Sequence, residues 1–334
     1  VLLRRLRRRS DEASFRLAAA AGARKALDRM VGGFFVFSSL HRPEDRMATT
    51  NRPVITISPN PPVFDLPVIV ARERGLFERE GIDVRYSADY GDRSPSERDV
   101  LARLKESHFE DKRADVFNVC EWGSVDRLER SRRGGKIAAW RAAVAAQAIV
   151  SFDPAIQEPR DLAGVPVGVN EYTGSHYTTL QLLEGAIARD RIVVVHEGAP
   201  EARYAAVKSG KLRAAMVMEP FISLALKDGA HLVGVTFYRG SEVISSEVGD
   251  AERDAYLRAI DAAVDIINAD RAAFRHHIVS PARGALAAAE LSDFFVRYVH
   301  VEPYPEERFT QAYAWVKSWG LTEGNETYDA LVLR

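Results

Sequence analysis

Val63-Phe64-Asp65-Leu66-Pro67-Val68-Ile69-Val70-Ala71-Arg72-Glu73-Arg74-Gly75-Leu76-Phe77-Glu78-Arg79-Glu80-Gly81-Ile82-Asp83-Val84 reads as one helix, a turn at Gly81 and a strand that begins at Ile82. A short β-branched run over 54–57 precedes it as a first strand, and Pro59, Asn60, Pro61 and Pro62 break the chain between the two. The order is strand, loop, helix, strand. It matters because the loop leaves backbone N–H groups free at a helix start, where small polar ligands dock.

The same alternation continues outward. Strands are expected over 115–119 and over 134–140, the latter continued by 148–151, with a helical region over 95–106 and a turn-rich connection over 154–159. A second block follows, with strands over 165–169, 192–196, 214–218 and 232–236. Helices over about 175–188, 199–209 and 221–227 separate them. After an extended stretch over 243–248 the character changes, and 251–268, 271–279, 284–298 and 306–319 all read as helices. There is no internal repeat. Alternating β-branched runs and amphipathic helices are the sign of an α/β protein with a mostly parallel sheet, and 334 residues suffice for two domains.

Three phrases carry a resemblance. Arg74-Gly75-Leu76-Phe77-Glu78-Arg79-Glu80-Gly81-Ile82-Asp83-Val84 is the first, and Asp161-Leu162-Ala163-Gly164 followed by the strand 165–169 is the second. The third is Ala205-Ala206-Val207-Lys208-Ser209-Gly210-Lys211-Leu212-Arg213-Ala214-Ala215 with Met218-Glu219-Pro220. In this order and over roughly 53–320 they resemble the ABC-transporter solute-binding proteins of the nitrate/sulfonate/taurine and thiamine-precursor type. The resemblance implies a two-lobed type 2 periplasmic-binding-protein fold, each lobe a mostly parallel sheet flanked by helices. It places lobe 1 at 53–148 plus 246–334 and lobe 2 at 149–245, with a hinge near 148–153 and 236–246. It also implies a monomer that closes on a small organic ligand for an ABC importer permease, with no cofactor.

Composition is that of an ordinary globular chain, 46% hydrophobic and 28% charged with a net charge of -1. Residues 1–46 hold eleven Lys/Arg and five Asp/Glu, so the remainder is acidic. The block Arg4-Arg5-Leu6-Arg7-Arg8-Arg9 reads as a basic tail, within a disordered extension over 1–52, or as codons upstream of a start at Met47. An acidic remainder argues against a nucleic-acid-binding face. The run 31–40 is short for a secretory h-region and broken by Gly32 and Gly33, and no stretch reaches the roughly 18 apolar residues of a membrane span. The compartment is periplasmic if the chain is exported and cytoplasmic if translation starts at Met47. The single cysteine, Cys120, excludes an intramolecular disulfide.

Four loops are expected to converge on a cleft. In the first, Phe64 could wall a pocket and Asp65 could meet a cationic or hydroxylated ligand, or cap a helix. In the second, Asn118, Cys120, Glu121 and Trp122 stand at the carboxyl end of a strand, where ligands sit in parallel sheets; core burial is the alternative for Cys120 and Trp122. The third holds Thr173, Gly174, Ser175, His176 and Tyr177 at a helix start, suited to a carboxylate, sulfonate or phosphate, although Thr173 and Ser175 also suit plain capping. The fourth presents Glu219. Aromatic and acidic residues in these loops suggest an aromatic, heterocyclic, sulfonate or amine-bearing ligand. Neither Cys120 nor His276-His277 shows metal-ligand spacing, so no metal is expected.

A second reading keeps the scaffold and makes it an enzyme. Thiamine-pyrimidine synthases and aryl-sulfinate desulfinases resemble this fold, and Cys120 with His176 could supply an activated thiol. The synthases' cysteine-rich run and cofactor lysine have no match, since no lysine lies between Arg52 and Lys105. A third reading is a cytoplasmic ligand sensor without catalysis. Fold alone does not decide among them.

Overall fold

A computed structural model describes residues 52–90, 101 and 103–334. The basic block, the candidate start at Met47 and most of the expected helix over 95–106 lie outside the described residues.

The chain opens with β1 (Val54–Ile57) and the helix α1 (Pro62–Glu73). The expected single helix is cut at Gly75, whose φ of +61° turns the chain before the short α2 (Leu76–Arg79) and β2 (Asp83–Tyr86). Nine of the twelve residues of α1 are buried, so the helix lies inside the molecule. Pro67 within it has no N–H for the Val63 carbonyl. The hydroxyl of Tyr298 donates to that carbonyl at 2.9 Å and satisfies it from outside the helix.

Next come α3 (Leu104–Glu110), the fully buried β3 (Val116–Cys120) and α4 (Glu121–Arg130). β4 (Lys136–Ser151) then runs for 16 residues, starting two residues after the expected 134 and spanning without a break from the stretch expected at 134–140 to its continuation at 148–151. The second block is β5 (Pro166–Val169), α5 (Gly174–Glu184), β6 (Val193–His196), α6 (Pro200–Lys208), β7 (Ala214–Val217) and α7 (Phe221–Lys227). β8 (His231–Ile244) is again long, at 14 residues. After it come α8 (Asp250–Ala269), α9 (Arg275–Val279), β9 (Val296–Tyr298), α10 (Glu306–Ser318) and α11 (Tyr328–Leu331).

The expected helix over 284–298 is not one: it holds two 3-10 turns and β9. Helix propensity loses there to pairing, because β9 joins Ala143–Ala145 of β4 and buries Val296 and Tyr298 on one side.

One sheet orders the strands β2-β1-β3-β8-β4-β7-β5-β6, with β9 on β4. Each end is a parallel trio, β2-β1-β3 and β7-β5-β6. The antiparallel pair β4–β8 joins them and passes through both halves. Its register is Trp140 opposite Ser241 and then Val144 opposite Arg239, so four steps along β4 answer two along β8. Residues 141–143 therefore bulge out of the ladder, which re-aims side chains.

Beyond β8 the chain returns to the first half, where Phe77 stacks on Tyr256 of α8 at 5.6 Å and the Leu333 amide donates to Ile137 O at 2.9 Å. A separate core cluster of Ile149, Ile156, Leu162, Val167, Val169, Leu183, Ala214, Met216 and Val233 serves the second half. The end of α10 reaches that half. The indoles of Trp315 and Trp319 donate to the two oxygens of Glu184, and Arg189 lies 4.4 Å over the Trp319 ring.

Candidate binding cleft

A cavity of about 150 Å³ opens where the carboxyl ends of β1, β5, β6 and β7 meet the bulge of β4. That volume is of the order that accommodates a benzene-sized molecule. Pro59, Asn60 and Pro61 after β1, Asn170 after β5, and Ala199 and Pro200 after β6 form its rim. Thr173, Gly174 and Ser175 bring the start of α5 to it, where no side chain caps the helix.

The deepest charge is Arg141, in the bulge and only 1% exposed. Its guanidinium lies 4.1 Å from the centre of the Phe64 ring and 5.7 Å from that of Tyr238, and both rings line the cavity. Nη1 donates to Asn118 Oδ1 at 3.2 Å, whereas Nε and Nη2 have no partner among the described residues. Arg103, Lys105 and Arg203 add positive charge to the lining, and Glu106 is its only carboxylate among the described residues. Burial pushes the Glu106 carboxyl up, but Lys105, Arg127 and Arg103 together outweigh it and hold the group below its usual range. Burial lowers Lys105, whose Nζ donates to Asn118 O at 2.9 Å.

Two carboxyls sit behind this wall. Asp65 accepts from the Asn60 amide and from Asn118 Nδ2, each at 2.8 Å, yet burial pushes it up to about 6. Glu242, fully buried with an unpartnered Oε2, is pushed up to about 7 by burial against the pull of Arg141. Near pH 7 Asp65 is therefore mostly ionised and Glu242 about half protonated, and the four cations of the lining, Arg103, Lys105, Arg141 and Arg203, still outnumber them together with Glu106, so the potential facing the cavity is basic. Such a cleft can hold the oxygens of an anion on Arg141 while Phe64 and Tyr238 cover an apolar body.

No family model matches the chain, and no curated protein matches it in sequence. Solved structures do. The ligand-binding component of an ABC-type import system from Staphylococcus aureus superposes with a TM-score of 0.66 at 14% identity, over 84% of this chain and 97% of that one. The alkanesulfonate-binding protein SsuA from Xanthomonas axonopodis pv. citri, bound to MOPS, gives 0.60 at 14% identity over 80% and 92%. The desulfurization enzyme DSZB gives 0.59 at 15% identity over 83% and 95%. The fold is that of the periplasmic binding proteins. Within this periplasmic-binding fold, both binders and an enzyme occur among the neighbours, so the site's chemistry must decide function.

Of the residues singled out in the sequence, Phe64, Thr173, Gly174 and Ser175 line the cavity. Asp65 and Asn118 stand directly behind it, tied to Asn60 and Arg141. The rest are placed elsewhere. Glu121 pairs with Arg308 and with the hydroxyl of Tyr304. Trp122 packs at 6.0 Å on Tyr177 and 6.2 Å on Trp315. Glu219 accepts from both the amide and the hydroxyl of Ser223.

Burial raises the Cys120 thiol. His176 Nδ1 accepts from the Tyr172 amide at 3.0 Å, which puts any ring proton on Nε2, and burial lowers its pKa to about 4. The expectation of an acidic lining gives way to a basic one, because Glu121 and Glu219 turn to partners of their own.

Sequence reasoning passed over Arg141, Gln147 and Tyr238, together with Arg103, Lys105, Glu106 and Arg203. A signal existed for two of them. Arg141 and Gln147 are the polar residues in the otherwise small and apolar run from 141 to 150.

Proposed function

We propose that this chain is a solute-binding protein that captures a small organic anion between two lobes and presents it to an ABC-type importer. The observation that carries the reading is Arg141, a buried guanidinium with two unpartnered nitrogens in the wall of a basic, aromatic-lined cavity. A buried cation left half-satisfied costs stability unless a ligand completes it, which is the behaviour of a binding residue. We take the lobes as 53–148 with 246–334 and 149–245, turning about the β4–β8 ribbon as ligand binds. A carboxylate or sulfonate on a small aromatic or heterocyclic body suits the volume and the charge. No helix among the described residues is long and apolar enough to cross a membrane, and a monomer would meet its permease through the lobe surfaces.

The enzyme reading gains nothing from Cys120, since burial raises the thiol and keeps it protonated, and a protonated, buried thiol is a poor nucleophile. The test is calorimetric titration of the full chain with benzoate, benzenesulfonate and propane-1-sulfonate, followed by mass analysis of each mixture. Saturable binding with ligand recovered intact is expected. Consumption of the ligand, or tighter binding of amines than of anions, would overturn the proposal.

A further inference from the structure

The groups left without partners in the cleft are of two kinds. The donors are Arg141 Nε and Nη2. The acceptors are Gln147 Oε1 and Asn170 Oδ1, both buried and unpartnered among the described residues. All three residues line the same cavity. Gln147 is 2% exposed, and its Nε2 contacts Met218 Sδ at 3.7 Å, which leaves the carbonyl oxygen as the free end of the amide.

Asn170 is held by its backbone, whose N–H donates to Ser175 Oγ at 2.9 Å and whose carbonyl accepts from Thr173 Oγ1 at 2.7 Å; the side-chain oxygen is left over. Asn118 makes the contrast. Its Oδ1 already accepts from Asn60 and Arg141, so it has nothing spare to offer a ligand. A buried amide oxygen without a donor is destabilising, and two around one cavity require a common explanation.

We infer that the ligand is an organic anion bearing an N–H or O–H group at its far end, with the anion on Arg141 and the donor on Gln147 and Asn170. This rests on the solute-binding reading and narrows it. Arg141 lies in the bulge of β4, and Gln147 six residues farther along that strand, toward the half that also carries Asn170. One ligand therefore meets the donors of Arg141 with its anion and the acceptors of Gln147 and Asn170 with its other end. A bare anion, or one whose far end is a hydrocarbon, meets Arg141 and leaves both acceptors unpaired.

The experiment titrates the full chain with matched ligands: propane-1-sulfonate against 3-hydroxypropane-1-sulfonate, and benzoate against 3-hydroxybenzoate and 3-methoxybenzoate. The hydroxyl members are expected to bind at least about tenfold tighter than their parents, and the methoxy member no tighter than benzoate. Gln147→Met, which keeps the volume and removes the acceptor, is expected to bring the ratio of hydroxyl-member to parent affinity down toward one, and a ratio equal to that of the unmodified chain overturns the inference. Equal affinity for parent and hydroxyl members, or a preference for the methoxy compound, overturns this inference and leaves the anion site standing. Failure of every anion to bind overturns the proposed function, and this inference with it.

Discussion

Arg141 is where a strand built from alanine, valine and isoleucine admits a permanent charge. Arg141→Met is expected to lower affinity for organic anions by roughly 10–100-fold, because a charge-assisted hydrogen bond contributes about 1.5–3 kcal/mol. Titration calorimetry reads this directly, and unchanged affinity would remove Arg141 from the site.

The two acids behind it make a separate prediction. Asp65 and Glu242 are held near 6 and 7 in the fold, whereas an unfolded chain releases those protons near pH 4. Between about pH 4 and 7 the folded state binds more protons than the unfolded one, so stability falls as pH rises through that window and levels off above it. Denaturant midpoints at pH 5.5 and 8.0 should show it, with a smaller difference in Glu242→Gln; an identical pH slope in that variant would remove Glu242 as a source. Cys120→Ser should leave ligand affinity unaltered, since the thiol packs against the Gly123 turn rather than the cavity. Lost binding in a folded Cys120→Ser protein would return the thiol to the site.

Individual helices and strands show where the sequence was informative. The turn at Gly81, the strand starts and the opening of α5 were legible from local chemistry, because turns and caps depend on few residues, whereas the break at Gly75 inside the expected helix was not. Less so were the lengths of β4 and β8, since a ribbon through two halves is fixed by its partners rather than by its own pattern. The bulge that turns Arg141 inward is a mismatch between two strands, and neither strand records it alone. For the same reason Phe64 and Thr173–Ser175 could be found by position in a loop, whereas Gln147 and Tyr238 could not.

Two substitutions test these contacts. Tyr298→Phe removes the donor that serves the Val63 carbonyl opposite Pro67, and should lower stability by about 1–2 kcal/mol in chemical denaturation. Gly240→Ala would place a methyl 2.5 Å from Val119 O and 2.6 Å from Arg141 Cζ. It should cost about 1–3 kcal/mol through overpacking and weaken anion binding as well, because the guanidinium must move. Full anion affinity in that variant would show that Arg141 has room the contacts deny it.

Across the molecule, the two halves are joined by more than the ribbon. Arg127 and Arg103 of the first half donate to the carbonyls of Tyr172 and Glu171 in the second. The end of α10 reaches over to Glu184 on the same seam. The parallel trios were legible in the sequence because each strand–helix unit is local. The seam was not, because it joins residues between 45 and 135 positions apart. If ligand binding turns one half against the other, these contacts change together with the cleft.

The pair of indoles on Glu184 gives the protein an optical consequence. Trp122, Trp315 and Trp319 form a chain with ring centres 6.2 Å apart at each step, close enough for their excited states to couple. A carboxylate that hydrogen-bonds two of those chromophores also sets the field in which they emit. Movement of the half that carries Glu184 should therefore alter near-ultraviolet dichroism and shift tryptophan emission without any added dye. The unmodified chain would then report its own ligand by colour, and Glu184→Gln would dim that signal while leaving the binding isotherm in place.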